Sequence, residues 1–151
     1  MISLLRAIID KFKEGEGTST SVWGRTNGRV FLNPGPMMPD SISSPSVTFS
    51  IRSAKRSRRM VTNVLERIAT NRNIGDRLIE VVFSVWSKSA DVNEAITIGN
   101  LIEILLDTQT LTFSNADWVC RYMREIDGPL VEREPPYWVW TATFSIALEK
   151  L

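Results

Sequence analysis

The sequence predicts an α+β fold in which a small antiparallel sheet packs against several helices, with a flexible proline-rich N-terminal arm. Three observations support this prediction. Apolar and polar residues alternate at both ends of the region from residue 47 to the C-terminus, as they do in strands. Apolar residues recur at helical spacing between those ends. Gly, Ser, Thr and Pro are frequent in residues 14–46.

The chain has the length of a single domain, since its 151 residues can bury a core without a disulfide or a metal. We expect three segments within it. Residues 1–13 form an amphipathic N-terminal segment, residues 14–46 a flexible linker, and residues 47–151 the globular domain. No apolar run is long enough to span a bilayer, and the N-terminus lacks the features of a signal peptide.

The first predicted element is an amphipathic helix over residues 1–13, which ends where Gly15 and Gly17 follow. Its apolar face is predicted to bind a membrane surface or a neighbouring subunit, because the linker separates the helix from the domain. Packing in the core is the alternative, and the sequence leaves both open. The predicted membrane-binding residues are Leu4, Leu5, Ile8, Ile9 and Phe12.

The linker that follows is predicted to lack regular structure, apart from one short extended piece at residues 29–32. A strand is then predicted at residues 47–51, where Val47, Phe49 and Ile51 alternate with polar residues. After a basic turn, the apolar spacing predicts a helix over residues 58–70. Residues 78–86 favour a helix, but their β-branched content leaves a strand open.

The C-terminal half begins with a strongly apolar helix at residues 92–107 and a short strand at residues 110–113. Ser114 and Asp117 have the spacing of a helix cap, so we expect a helix through residue 126. A turn is predicted at residues 127–129. The last predicted element is a strand over residues 137–148, on which Trp138 and Trp140 lie on the same side.

Charge is unevenly distributed along the chain, although the net charge is only +1. Residues 52–77 carry eight basic and two acidic groups, whereas residues 78–151 carry five basic and eleven acidic groups. This asymmetry predicts a basic surface for an anionic partner and permits head-to-tail contact between copies. The residues predicted to bind the anionic partner are Lys55, Arg56, Arg58 and Arg59.

The sequence offers little catalytic equipment, because it contains no histidine and one cysteine, Cys120. Nucleophile–histidine pairs and imidazole zinc sites are therefore excluded. No phosphate-binding loop or dinucleotide-binding glycine motif is present. We expect Cys120 to be a buried structural residue. The sequence thus predicts a protein that is not an enzyme, with no catalytic residue, no metal site and no cofactor.

Four stretches resemble the matrix proteins of rhabdoviruses, in particular the lyssavirus-type branch. The start MISLLRAII is similar to the short amphipathic start of that family. RRMVTNVLERI at residues 58–68 and NIGDRLIEVV at residues 73–82 look like its core segments. IDGPLVERE at residues 126–134, followed by an aromatic strand, resembles a turn placed similarly there. The Pro-Pro-x-Tyr motif that family members often carry is missing.

The resemblance implies a structural viral protein that binds membrane and nucleocapsid, self-associates and supports assembly and budding, or a matrix-like accessory protein. Its partners would be an anionic membrane surface, the viral ribonucleoprotein, further copies of itself and host proteins. Its location would be the virion and the inner face of the host membrane, with the nucleus as a further compartment. The alternatives are a regulatory adaptor that acts by protein binding and a nucleic-acid-binding module.

Overall fold

A five-stranded sheet in the order β1-β2-β3-β5-β4 forms the centre of the computed structural model. The structure describes residues 2–32, 44–55, 77–114 and 117–150. The elements of the described residues are α1 (Ile2–Lys13), α2 (Val22–Thr26), β1 (Val30–Leu32), β2 (Ser46–Lys55), β3 (Arg77–Ser87), α3 (Asn93–Leu106), β4 (Trp118–Glu134) and β5 (Tyr137–Lys150). β1 pairs parallel to β2, and the other neighbours pair antiparallel.

The predicted helix-rich α+β packing is wrong, because 48% of the described residues are strand and 27% are helix. The largest error concerns residues 118–126, which form the first half of β4 instead of a helix. Register shifts after Cys120 and after Glu125 each insert an extra residue into this strand. Inward-facing Cys120 and Met123 are therefore three residues apart, which imitates the spacing of a helix.

Residues 78–86, for which helix and strand were both open, belong to β3. This strand lies in the middle of the sheet between β2 and β5. Its two faces both carry apolar residues, such as Val81 and Phe83 on one face and Val82 and Trp86 on the other. Apolar and polar residues therefore do not alternate along this part of the sequence, as they do in a strand with one exposed face.

The predicted short strand at residues 110–113 and the predicted turn at residues 127–129 also need correction. Residues 110–113 adopt no regular structure. Residues 127–129 do not end a strand, because β4 continues through them with a register shift between Asp127 and Leu130. The hairpin turn between β4 and β5 lies instead at Pro135 and Pro136.

The predictions for α1, α3, β2 and β5 are confirmed to within a few residues, and the short extended piece at residues 29–32 corresponds to β1. The predicted helix at residues 58–70 lies outside the described residues. Trp138 and Trp140 lie on the same side of β5, as predicted, with Trp140 buried and Trp138 half-buried.

The core lies on the face of the sheet that α1 and α3 cover. Phe83 is at its centre, with ring centroids 5.8 Å from Phe12 of α1, 5.9 Å from Phe49 and 5.6 Å from Phe144. Ile98 and Ile102 of α3 are also buried in this core. The opposite face holds a smaller cluster of Trp86, Tyr137 and Val139.

The N-terminal segment is not a flexible arm in its described part. α1 is anchored in the core through its apolar face, and residues 14–32 include α2 and β1. The Ser21 side chain caps α2 by accepting a hydrogen bond from the Gly24 N–H at 3.0 Å. The packing of α1 has a physical reason. An isolated helix of 12 residues is marginal in water, so α1 is stabilised when its apolar face packs on the sheet.

Candidate protein-protein interface at the sheet edges

The two edge strands of the sheet are unequal. β4 is a 17-residue edge strand, whereas β1 at the other edge has three residues. An edge strand presents backbone N–H and C=O groups that can pair with another chain. The parts of these edges that the rest of the described chain leaves uncovered are therefore candidates for an interface.

The loop after α3 covers the middle of the β4 edge. The Thr108 N–H donates to the Met123 carbonyl at 2.9 Å, and the Met123 N–H donates to the Gln109 carbonyl at 3.1 Å. One step along, the Glu125 N–H donates to Oδ1 of Asp107 at 2.9 Å. In the described part of the chain, the edge of β4 beyond these bonds has no further strand beside it.

The uncovered end of β4 carries an unusual combination of apolar and acidic side chains. Ile126 is 47% exposed and Leu130 is 56% exposed, which makes them two of the few large apolar residues on the described surface. Asp127, Glu132 and Glu134 are also exposed. We call these five residues the distal β4 surface. Exposed apolar residues beside charged ones are typical of protein interfaces.

A group of carboxylates lies where α3 meets β4. Burial, a hydrogen bond with Glu103 and the negative charges of Glu103 and Asp107 raise the pKa of Glu125 from its ordinary value of 4.5 to about 7. The negative charges of these two neighbours favour the protonated form of the Glu125 carboxyl. Glu125 therefore holds a proton on a good fraction of molecules near neutral pH.

A shallow groove of 540 Å³ lies at the opposite edge of the sheet, between α1 and the strands. Its apolar residues are Leu5 and Ile9 of α1, Leu32 of β1 and Phe49 of β2, and its charged residues are Arg6, Asp10 and Lys13. We call it the α1–β1 groove. Leu32 is 46% exposed and Phe49 is buried, so the groove has an apolar wall and an apolar floor.

A second cavity, of 240 Å³, lies at the end of the sheet near the start of α1. It is lined mainly by apolar residues, among them Leu4, Phe113 and Trp118, with Arg77 as its charged residue. It gathers no pair of carboxylates and no nucleophile beside a base. No step of catalysis can be assigned to its residues.

The predicted membrane-binding face of α1 is turned towards the sheet. Leu4, Ile8 and Phe12 are buried at 1–2% exposure, and Leu5 and Ile9 are half-buried against the core. In this conformation the face cannot contact a bilayer without leaving the sheet. Its role in membrane binding is untested, as is the role of the basic residues.

The predicted basic site is mostly beyond the described residues. Lys55 is the last residue of β2, while Arg56, Arg58 and Arg59 lie outside the described part of the chain. Cys120 is buried on β4, and burial raises the pKa of its thiol. The prediction of a buried cysteine is confirmed, although on a strand instead of a helix.

Sequence reasoning missed the distal β4 surface and the α1–β1 groove. Ile126 falls at the end of the helix predicted through residue 126, and Asp127 falls in the turn predicted at residues 127–129. Recognising an edge requires the strand order, which residue patterns along one strand do not give. The sequence offered one signal of the distal β4 surface, the four acidic residues between positions 125 and 134.

No family model matches this chain, and no curated protein matches it. A solved structure shares its fold: a chain of the structure described as "Virion of native gene transfer agent (GTA) particle". The TM-score is 0.54 at 11% sequence identity, and the match covers 95% of this chain and 92% of that one. At this identity the likeness shows the fold. It lends no support to the rhabdovirus matrix family in particular.

Within the described ranges, no helix is long and apolar enough to cross a membrane. The same residues contain no group of three or more His, Cys, Asp or Glu side chains arranged to hold a metal ion.

Proposed function

We propose that this protein is a non-enzymatic structural subunit of a virion-type particle and that it acts through contacts with other protein subunits. The observation that carries the proposal is the match to a chain of a gene transfer agent virion over nearly the full length of both chains. The exposed apolar and acidic residues of the distal β4 surface support it, because a subunit needs such surfaces to bind its neighbours.

The proposal keeps the virion and self-association from the initial hypothesis and gives less weight to the membrane. Burial of Leu4, Ile8 and Phe12 in the core argues against α1 as a membrane anchor. Binding of nucleocapsid or anionic lipid by Arg56, Arg58 and Arg59 stays a prediction. An adaptor that acts by protein binding would use similar surfaces, so the experiment must separate a particle subunit from a soluble adaptor.

The test is to isolate particles from a producing culture on a density gradient and to detect the protein with a specific antibody. We expect the protein to sediment with the particles and to remain there after washing with high salt. A membrane-free gradient fraction rules out carriage by lipid. Recovery only in the soluble fraction, while the major shell protein sediments with the particles, would contradict a structural role and favour the adaptor.

A further inference from the structure

We propose that the distal β4 surface of one copy binds the α1–β1 groove of a second copy. This inference rests on the proposed function and names the neighbour that the subunit binds. The two surfaces lie at opposite edges of one sheet, in the order β1-β2-β3-β5-β4. With about 4.8 Å between strands, the edges are roughly 19 Å apart, so one copy cannot join its own two surfaces.

The apolar parts of the two surfaces fit each other in size and kind. Ile126 and Leu130 are branched aliphatic side chains that are about half exposed on their own copy. The groove offers Leu5, Ile9 and Leu32 as walls and Phe49 as a floor. Insertion of the two aliphatic chains would remove apolar area of both copies from water, which is the main favourable contribution to association.

The charges are also complementary. The distal β4 surface carries three exposed acidic groups, Asp127, Glu132 and Glu134, and the stretch that they span contains one basic group. That basic group, Arg133, lies over the Trp138 ring with its guanidinium carbon 5.2 Å from the centroid, just as Lys13 of the groove lies over the Trp23 ring with Nζ 5.8 Å from the centroid. The groove has Arg6 and Lys13 with a single acidic residue, Asp10. Residues 2–32 as a whole carry five basic and three acidic groups. An acidic surface therefore meets a basic one.

The contact is heterologous, since it joins two different surfaces. After the first contact one copy keeps a free α1–β1 groove and the other keeps a free distal β4 surface. Repetition then gives a closed ring or an open filament, according to the rotation between neighbours. A two-fold dimer that buries the same surface on both copies is the competing arrangement, and it makes a different prediction for mixtures of variants.

The first experiment is cross-linking of full-length protein with a short bis-maleimide. Leu32→Cys and Leu130→Cys are prepared as separate single variants, and wild type gives the background from buried Cys120. We expect a cross-linked dimer when the two variants are mixed and background when each is treated alone. Leu32→Cys mixed with Ile104→Cys is the control, because Ile104 is 74% exposed on α3.

Two results would overturn the inference. One is cross-linking of Leu130→Cys alone at the level of the mixture, which indicates a two-fold contact. The other is a mixture that gives no more product than the Ile104→Cys control. Either result leaves the particle experiment untouched, so a wrong contact and a wrong function are distinguishable.

The second experiment exchanges the charges. One variant combines Glu132→Lys and Glu134→Lys, and the other combines Arg6→Glu and Lys13→Glu. By sedimentation velocity, we expect each variant alone to associate at least about tenfold more weakly than wild type and their equimolar mixture to recover. Circular dichroism confirms that each variant is folded. Failure of the mixture to recover overturns the inference.

Discussion

At the scale of single residues, Gly99 of α3 packs directly against the indole of Trp140 on β5. A Cβ atom at Gly99 would lie 2.5 Å from Nε1 of Trp140 and against the ring itself. The indole is 1% exposed and has no room to move. Glycine therefore sets the distance between the helix and the sheet, at a position where helix propensity alone favours alanine.

We expect Gly99→Ala to lower the free energy of unfolding by about 1–3 kcal/mol, because overpacking outweighs the gain in helix propensity. Urea unfolding followed by tryptophan fluorescence measures the change. Asn100→Ala is the matched control, since Asn100 is the next residue of α3 and is exposed. A Gly99→Ala protein as stable as this control would show that the helix can shift away from Trp140.

Glu125 makes stability depend on pH. Its pKa in the folded protein is about 7, above the ordinary value of 4.5, because of burial, Glu103 and Asp107. A raised pKa means that the folded state binds the proton more tightly than the unfolded state. The contribution to stability is therefore fully present below pH 4.5 and is lost as the pH rises through 7.

We expect Glu125→Gln to remove this part of the pH dependence, because glutamine stays neutral and can donate a hydrogen bond to Glu103. The variant should lose less stability than wild type between pH 5 and pH 8, about the range over which Glu125 ionises. Thermal unfolding across this range measures it. Glu16→Gln, at an exposed carboxyl outside both proposed surfaces, is the control variant. Parallel curves for Glu125→Gln and wild type would contradict the prediction.

At the scale of elements, α1 shows what an amphipathic pattern does and does not determine. The pattern correctly predicted the helix and its apolar face. It could not say what that face contacts, because a bilayer and a sheet offer the same apolar surface. In the structure the apolar face of α1 packs on the sheet, where the ring of Phe12 lies beside the ring of Phe83.

We expect Phe12→Ala to destabilise the protein by about 3–5 kcal/mol, the usual loss for a buried phenylalanine. Asp10→Ala, on the exposed side of the same helix, is the control and should change stability little. Chemical denaturation compares the two. Equal stability of both variants would indicate that α1 spends most of its time away from the sheet.

For the same reason, we expect deletion of residues 1–17 to expose the core instead of leaving a stable monomer.

The strands differ in how far residue patterns could predict them. β2 and β5 have patterns or flanking prolines that mark a strand, and both were predicted. β3 is apolar on both faces, and β4 contains register shifts that displace its inward-facing residues. Local alternation, the signal for a strand, is absent from the first and distorted in the second. Pairing with β5 determines both strands, and pairing is a long-range property.

At the scale of the whole molecule, a net charge of only +1 conceals charged groups of opposite sign at the two edges of the sheet. The charge asymmetry along the chain permits contact between unlike surfaces, but it points to the basic run at Lys55–Arg59. The edges became visible only with the strand order. The distal β4 surface and the α1–β1 groove could therefore not be predicted as surfaces, although the sequence contains all of their residues.

We expect self-association to weaken as salt rises from about 50 mM to about 500 mM, because dissolved ions screen the attraction between the exposed charges of the two surfaces. The apolar contact of Ile126 and Leu130 should persist, so the decrease is partial. Sedimentation at several salt concentrations measures it. Leu130→Ser should weaken association at every salt concentration, while Ile104→Ser should not. Association that strengthens with salt throughout would argue for a purely apolar contact.

The two halves of the β4 edge differ in what prevents a strand of another chain from pairing with them. The loop of Asp107, Thr108 and Gln109 occupies one half through backbone and side-chain bonds. The other half contains Pro129, which has no amide hydrogen to give to a further strand. Pro129→Thr should therefore form dye-binding fibrils faster than wild type at equal concentration. Pro129 thereby limits pairing between β4 and a strand of another copy, the kind of pairing from which fibrils grow.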